Sequence, residues 1–275
     1  MHKEIKEIFE LTMKKNVRTS SFLETGFSNK NYLINDAFVI RMPRELADPT
    51  LDFAKEKQVY EVIDPLNISE KIANFDTTTG IKISKFVHGT RKYVETPTNE
   101  QILYVAKKLK KLHSSDIKLP FGYVMFHKLE VYKKGVDESL FITKSYETRV
   151  IKEVRKIFAK SPLTLCHNDL VKDNLLFKFS NVVFIDWEYG SMNNPYFDLA
   201  SFISENNLSE EQEEYFLSKY FGYKYNTIRK KRVDLFIAFQ DILFYYWAQF
   251  MFARRHDEIY NIIAKDKLRR IQSKQ

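Results

Sequence analysis

The side chains that could do chemistry are concentrated between residues 163 and 205, where two acids and an amide follow one another at short intervals. Asp169 lies in a polar loop, Asn174 comes five residues later, and Asp186 ends a later apolar run. Carboxylate and amide oxygens are the hard ligands that Mg²⁺ prefers, and a carboxylate can also accept the proton of an attacking hydroxyl group. This stretch could therefore hold a metal ion and activate an alcohol.

The spacing of these residues is the one used in kinase-type phosphoryl transfer. His167 and Asp169 form His-x-Asp, Asn174 follows after four intervening residues, and a short apolar strand leads to Asp186. In that arrangement one carboxylate accepts the hydroxyl proton, while the amide and the second carboxylate hold Mg²⁺ against the nucleotide phosphates. The alternative is a polar turn in which Asp and Asn have ordinary turn roles. The acid at the end of a strand favours phosphoryl transfer.

Length and composition fit one large domain or two lobes with a packed core. The chain has 275 residues, of which 44% are hydrophobic and 15% aromatic. A net charge of +8 would suit nucleic acid, but the Lys and Arg residues are spread over amphipathic segments without a long basic block. We therefore expect no nucleic-acid partner, and the positive charge also suits an anionic nucleotide.

Cysteine usage and hydropathy favour a cytoplasmic protein. A single cysteine, Cys166, cannot form an internal disulfide and excludes a Cys-rich zinc site. The N-terminal segment is charged and amphipathic, unlike a signal peptide. Residues 233–253 have the length of a membrane span, but Asp241 near their middle would be costly in lipid. We expect a buried helix there and no stable membrane insertion.

The segment before the central stretch predicts an N-terminal helix and a small sheet. Apolar runs of strand length occupy residues 32–34, 38–42 and 80–87. Turn residues stand at Gly26, at 28–29 and at 35–36. The last strand ends at His88-Gly89-Thr90, where we place the boundary between two lobes.

The second of these strands predicts an ion pair. Arg41 lies on the opposite face from Ile40, and an Arg on the inner face of a sheet requires an anion. A helix with its start signal at residues 48–50 would place Glu56 on its apolar side. Glu56 is thus the expected partner of Arg41. The alternative is two surface charges that never meet.

The rest of the chain is predicted to be mainly helical. Helices are expected at residues 98–113 and 148–160, from 196 through Glu205, and over much of 210–275, whereas residues 121–148 have no clear periodicity. Phe244 and Trp247 are three residues apart and share a helix face. From spacing alone, this aromatic pair is typical of core packing.

Taken together, the sequence resembles the choline kinase family, within the wider aminoglycoside phosphotransferase-like and protein-kinase-like group. The resemblance covers residues 22–253. It is carried by Asn29-Lys30-Asn31-Tyr32, Val39-Ile40-Arg41, Lys55-Glu56, Leu109-Lys110-Lys111-Leu112-His113, His167-Asn168-Asp169 with Asn174, Ile185-Asp186-Trp187-Glu188-Tyr189, and Asp198-Leu199-Ala200 with Glu205. The resemblance implies an α+β, two-lobed protein-kinase-like fold. Its small β-rich N-terminal lobe would comprise residues 1–88, and its larger helical C-terminal lobe residues 89–275.

The resemblance also implies a role for each candidate residue. Asp169 would be the catalytic base, and Asn174 and Asp186 the Mg²⁺ ligands. The residues expected to contact ATP are Asn29, Arg41, Glu56, Ser84 and Phe86. Those expected to bind the acceptor alcohol are Glu188, Tyr189, Glu205, Phe244 and Trp247. His167 and Asp198 would brace the catalytic loop.

The activity implied by the resemblance is ATP-dependent phosphorylation of a small cationic alcohol, with choline converted to phosphocholine as the first expectation. A quaternary ammonium has no N–H to donate, so aromatic faces and diffuse negative charge must hold it. Ethanolamine, thiamine, an aminosugar or an aminoglycoside are alternative acceptors. A catalytically silent kinase-like binding protein is the alternative of another class. Two features depart from the pattern: the nucleotide loop has one glycine, Gly26, and Phe244 stands where many relatives have a second tryptophan.

Overall fold

The chain divides into two compact units in a computed structural model that describes residues 3–23, 29–93 and 95–275. The first unit comprises Met1–Val94 and Val171–Gly190, and the second comprises Glu95–Leu170 and Ser191–Gln275. The first contains a small antiparallel sheet, and the second contains most of the helices. The predicted turn residues Gly26 and Ser28 lie outside the described residues.

Within the described residues, the sheet of the first unit has five antiparallel strands in the order β1-β2-β3-β5-β4. The strands are β1 Ser20–Leu23, β2 Asn29–Ile34, β3 Phe38–Pro43, β4 Ile72–Phe75 and β5 Lys82–Lys85. The strands predicted at residues 32–34, 38–42 and 80–87 are confirmed, although β5 is shorter. Strand β4 was not predicted, because its Ala-Asn centre is exposed and gives no alternating pattern.

Two helices, α1 Lys3–Met13 and α2 Phe53–Ile63, accompany this sheet. Ile5 and Phe9 of α1 pack in one core with Ile40 of β3. Neighbouring residues of a strand point to opposite faces, so Arg41 faces away from this core. On that side it reaches Glu56 of α2.

The start predicted for α2 at residues 48–50 is wrong by a few residues. The side chain of Asp52 caps the helix by accepting hydrogen bonds from the N–H groups of Ala54 and Lys55, both at 3.1 Å. Asp48 instead accepts hydrogen bonds from the N–H and hydroxyl of Thr50, at 2.8 and 2.7 Å. Asp48 therefore closes a local turn, and the helix begins after it.

A hairpin formed by β7 Leu175–Lys178 and β8 Asn181–Phe184 completes the first unit. Leu175 pairs with Phe184 at its open end. The hairpin joins the rest of the unit through a hydrogen bond from the N–H of Phe184 to the carbonyl of Ile68, at 2.9 Å. It thereby fixes the residues that flank it, Asn174 and Ile185.

The second unit is built on a long helix, α8, which packs against α4, α5, α6 and α9, while α3 packs on α7. The helices are α3 Asn99–His113, α4 Met125–Lys134, α5 Lys144–Lys160, α6 Tyr196–Glu205, α7 Glu210–Phe221, α8 Thr227–Arg255 and α9 Glu258–Gln272. Two short strands, β6 Thr164–Cys166 and β9 Ser191–Asn193, pair antiparallel.

Helix α8 contains the apolar segment at residues 233–253. By length and composition it could cross a membrane, but 67% of its most apolar 18-residue window is buried inside the protein. Asp241 near its middle is buried and ion-paired with Lys274 at 2.8 Å. The predicted buried helix is confirmed. A core helix can pass the same test of length and composition as a membrane span, so the test is weak evidence here.

The packing of α3 generates a stability prediction. Leu109 is fully buried on α3, so Leu109→Ala should lower the free energy of unfolding by about 2–5 kcal/mol through lost burial and a cavity. Lys107→Ala, at an exposed position of the same helix, should change it by less than about 0.5 kcal/mol. Chemical denaturation of both variants measures the difference, and equal losses would contradict the packing of this face.

Candidate active site

The first unit holds a buried guanidinium among three carboxylates. Arg41 is 5% exposed, and its Nη2 lies 2.6 Å from Glu56 Oε2. Its Nη1 contacts Asp186 and lies 3.4 Å from Glu188 Oε2. Burial alone would lower the pKa of Arg41, but Glu56, Asp186 and Glu188 outweigh it and raise that pKa above its ordinary value. The ion pair predicted between Arg41 and Glu56 is present.

A second buried cation, Lys82, completes this cluster and was not predicted. Lys82 lies opposite Arg41 in the β3–β5 register, and its Nζ is 2.9 Å from Glu56 Oε1. Each oxygen of Glu56 therefore binds one cation. The sequence contained a signal for Lys82. Ser84 was predicted to contact ATP, and Lys82 lies two residues before it, so strand alternation places both side chains on the same face.

The cluster continues from Lys82 to a second buried acid, Glu70. Lys82 Nζ donates to the hydroxyl of Tyr60 at 2.6 Å, and that hydroxyl donates to Glu70 Oε1 at 2.7 Å. Burial raises the pKa of Glu70, and Lys82 and Tyr60 lower it only in part. The folded protein therefore favours the protonated form of Glu70.

A cavity of about 240 Å³ lies beside the cluster within the first unit. Its lining combines charged side chains with apolar ones and includes Val39, Arg41, Lys82, Ser84, Phe86, Leu176, Ile185 and Asp186. Apolar walls suit a flat base, and the cations suit phosphates. Ser84 and Phe86, both predicted to contact ATP, line this cavity. The N–H of Phe86 is already donated to the carbonyl of Ala37 at 2.8 Å, so its contact would come from the ring or the carbonyl.

The hairpin brings the two predicted metal ligands next to each other. The N–H of Ile185 donates to the backbone carbonyl of Asn174 at 3.0 Å, so Asp186 follows directly after this contact. Asp186 has φ = 64°, a left-handed conformation that Asp tolerates better than most residues. An amide and a carboxylate on adjacent backbone segments fit the oxygen ligation of Mg²⁺.

Three further predicted residues lie in the first unit. Asn29 Nδ2 donates to Glu188 Oε2 at 3.3 Å, and the hydroxyl of Tyr189 donates to Asp48 Oδ2 at 3.0 Å. Asn29 was predicted to bind ATP and Glu188 to bind the acceptor, and the structure brings these two together. Glu188 also pairs with Arg41, a contact that the sequence did not indicate.

In the second unit, one carboxylate holds the backbone of the predicted catalytic loop. Asp198, in the first turn of α6, accepts hydrogen bonds from the N–H groups of His167 and Asn168 at 2.9 and 2.7 Å. His167 Nδ1 in turn accepts from the N–H of Asp169 at 3.3 Å. The loop that carries Asp169 is thereby fixed on both sides of Asn168, which has φ = 68°.

Asp198 also anchors His113, at the end of α3. Nε2 of His113 lies 2.9 Å from Asp198, and Nδ1 lies 2.7 Å from the hydroxyl of Tyr220. His113, Cys166 and Asp198 are close enough for a metal ion. Burial and Asp198 raise the pKa of the Cys166 thiol well above its ordinary value. The contacts of Asp198 join the end of α3 to the backbone of His167 and Asn168.

Two of the remaining predicted acceptor residues, Glu205 and Phe244, lie beside a lysine of α9. Lys267 Nζ lies 2.5 Å from Glu205 Oε1 and 5.6 Å from the centre of the Phe244 ring. The ring of Trp247 packs edge-on against Tyr260 at 5.5 Å. Lys267 was missed, although it lies on the buried stripe of α9. A lysine on an apolar stripe requires an anion, which was the available signal.

Comparison with known proteins gives the family. The family model for choline/ethanolamine kinase matches residues 19–239. The chain belongs to the choline/ethanolamine kinase family. It is similar to Protein LicA of Haemophilus influenzae, with 27% identity over 263 residues that cover 88% of this chain and 76% of that protein. Membership of this family makes the chain a small-molecule phosphotransferase, as predicted.

Solved structures agree with the family assignment at the level of the fold. The choline kinase LicA from Streptococcus pneumoniae matches with a TM-score of 0.84 and 21% identity over 99% of both chains. A structure of LicA in complex with AMP matches with a TM-score of 0.78 and 20% identity over 99% of both chains. The predicted kinase-like fold, with a small sheet and a larger helical part, is confirmed.

The cluster around Arg41 generates a pH prediction. The pKa of Glu70 is raised above its ordinary value of 4.5, so folding favours its protonated form. Ionisation of Glu70 therefore lowers the stability of the folded protein. This loss of stability is absent below the ordinary pKa and grows as pH rises towards the folded-state pKa. Glu70→Gln, which cannot ionise, should therefore become progressively more stable relative to the unsubstituted protein as the pH rises from 4.5 to the folded-state pKa of Glu70.

Chemical denaturation across that pH range measures this difference in unfolding free energy. Glu61→Gln, the same substitution at an exposed position of α2, reports the effect of the chemical change alone. A difference between Glu70→Gln and the unsubstituted protein that stays constant with pH would contradict the raised pKa.

Proposed function

We propose that this enzyme transfers the γ-phosphoryl group of ATP to the hydroxyl of choline and releases phosphocholine. The observation that carries the proposal is the ammonium group held by Glu205 and Phe244 in the second unit. It supports these side chains as a cation site, because a carboxylate and an aromatic face are what a quaternary ammonium requires. Each aromatic face would contribute about 0.5–2 kcal/mol.

The other predicted residues take the roles of phosphoryl transfer. Asp169 accepts the proton of the choline hydroxyl as the hydroxyl oxygen attacks the γ-phosphorus. The bond from that phosphorus to the bridging oxygen breaks, and ADP leaves. Arg41, aligned by Glu56, contacts the phosphates of the nucleotide. Asn174 and Asp186 would hold Mg²⁺, which when bound supplies positive charge to the phosphates. The side-chain types and the hairpin contact beside Asp186 support this assignment.

The lobes would divide these tasks. Residues 1–88 would form the nucleotide-binding lobe, and residues 89–275 would carry the catalytic loop and the acceptor pocket. The segment Val171–Gly190, with both proposed metal ligands, clusters with the N-terminal residues. We also propose a cytoplasmic location, where ATP and a small alcohol are both available.

Ethanolamine is the second candidate acceptor. The ammonium of Lys267 is primary and approaches Glu205 within hydrogen-bonding distance, so the same carboxylate could receive a primary amine. Phe244 in place of a tryptophan gives a weaker cation–π face, which reduces the advantage of a quaternary ammonium.

Substitution of the proposed base tests the catalytic assignment. Asp169→Asn should lower turnover by about 10²- to 10⁴-fold, because the amide cannot accept the hydroxyl proton. Release of ADP in the presence of choline and Mg²⁺ measures it. Asp116→Asn, the same change at an exposed position, should retain normal turnover. Near-normal activity of Asp169→Asn would remove Asp169 from this role.

An acceptor panel tests the substrate. With choline, ethanolamine, thiamine, an aminosugar and an aminoglycoside at equal concentrations, choline should give the highest kcat/KM. Phe244→Leu keeps an apolar side chain but removes the aromatic face, and should lower kcat/KM for choline by about 2- to 30-fold. Preference for ethanolamine would support the second candidate, and equal rates on all five acceptors would reject the aromatic cation site.

A further inference from the structure

The ammonium of Lys267 occupies a site with the features of a cation receptor. Its side chain is buried on α9, with Nζ 2.5 Å from Glu205 Oε1 and 3.9 Å from Asp241 Oδ1. The ring of Phe244 lies 5.6 Å from the same atom. Two carboxylates and an aromatic face therefore surround one positive charge supplied by the protein itself.

We propose that Lys267 is an internal competitor for the acceptor's positive charge, and that it sets both the affinity and the charge specificity of the acceptor site. This inference rests on the proposed function, in which Glu205 and Phe244 bind the acceptor. Two like charges cannot share one carboxylate and one ring without repulsion. The acceptor's ammonium must therefore either displace the ammonium of Lys267 or bind beside it and be repelled by its positive charge.

The surrounding charges allow such an exchange. Asp241 has a second cation, because Lys274 Nζ lies 2.8 Å from its Oδ2. Asp241 Oδ1 is buried, and among the described residues it has no hydrogen-bond partner, so Lys267 holds it by charge alone. If Lys267 withdraws, Asp241 keeps Lys274 and Glu205 receives the acceptor. Each of the two acids then still has a cation.

A neutral acceptor of the same shape gives a direct measurement on the unsubstituted enzyme. The probe is 3,3-dimethylbutan-1-ol, in which carbon replaces the nitrogen of choline. Because Lys267 already neutralises Glu205, choline should exceed this alcohol in kcat/KM by no more than about tenfold. A preference for choline above about 100-fold would overturn the proposal, and this measurement requires no variant.

Removal of the lysine charge tests the competition. Lys267→Met keeps the length and apolar stem of the side chain. It should lower the KM for choline by about tenfold and raise the preference for choline over the neutral alcohol by a similar factor. Lys265→Met, two residues away and exposed on the same helix, should leave both quantities unchanged.

The outcomes separate this inference from the proposed function. If the unsubstituted enzyme phosphorylates choline but Lys267→Met has an unchanged or higher KM, the inference fails and the proposed function stands. If the unsubstituted enzyme phosphorylates no aminoalcohol, the proposed function fails and this inference with it. Should Lys267→Met not fold, as judged by its thermal transition, the comparison of choline with the neutral alcohol decides the question.

Discussion

The architecture of the first unit depends on the burial of one guanidinium. Arg41 cannot leave water without anions, and removing one partner of a buried ion pair typically costs about 3–5 kcal/mol. The strand pairing places Lys82 beside Arg41, so two cations face α2 and Glu56 must serve both. The residues proposed to bind the nucleotide are thus held by the charges that make the unit stable.

The second unit also pairs buried carboxylates with hydrogen-bond donors and cations, but around different acids. Asp198 accepts hydrogen bonds from two N–H groups of the proposed catalytic loop and contacts His113. Glu205 is paired with Lys267 of α9, and Asp241 with Lys274, which follows the end of that helix. These three acids are each paired with a donor from another part of the chain. The helices supply the apolar core, while these contacts select one arrangement of it.

Local patterns explain what could be predicted from the sequence. Arg41 and Glu56 could be paired because strand and helix periodicity put both on inward faces. The start of α2 was misplaced because Asp48 and Asp52 are equivalent as capping residues until the turn at Thr50 is known. Helix α4 was missed because Lys128 interrupts its apolar stripe. In the structure Lys128 is buried, and its ammonium lies over the ring of Tyr123. The pairing of Lys267 with Glu205 spans 62 residues, and no local pattern encodes such a contact.

The discontinuous first unit has a consequence for synthesis of the chain. The sheet and α2 leave the ribosome long before Val171–Gly190, which supplies the hairpin and the second carboxylate for Arg41. At roughly 5–20 residues per second, the N-terminal segment waits several seconds for these partners. During that interval Ile68 lacks the strand that binds its carbonyl in the finished protein. The nascent chain is therefore most exposed to misassociation and to chaperone capture before residue 190 emerges.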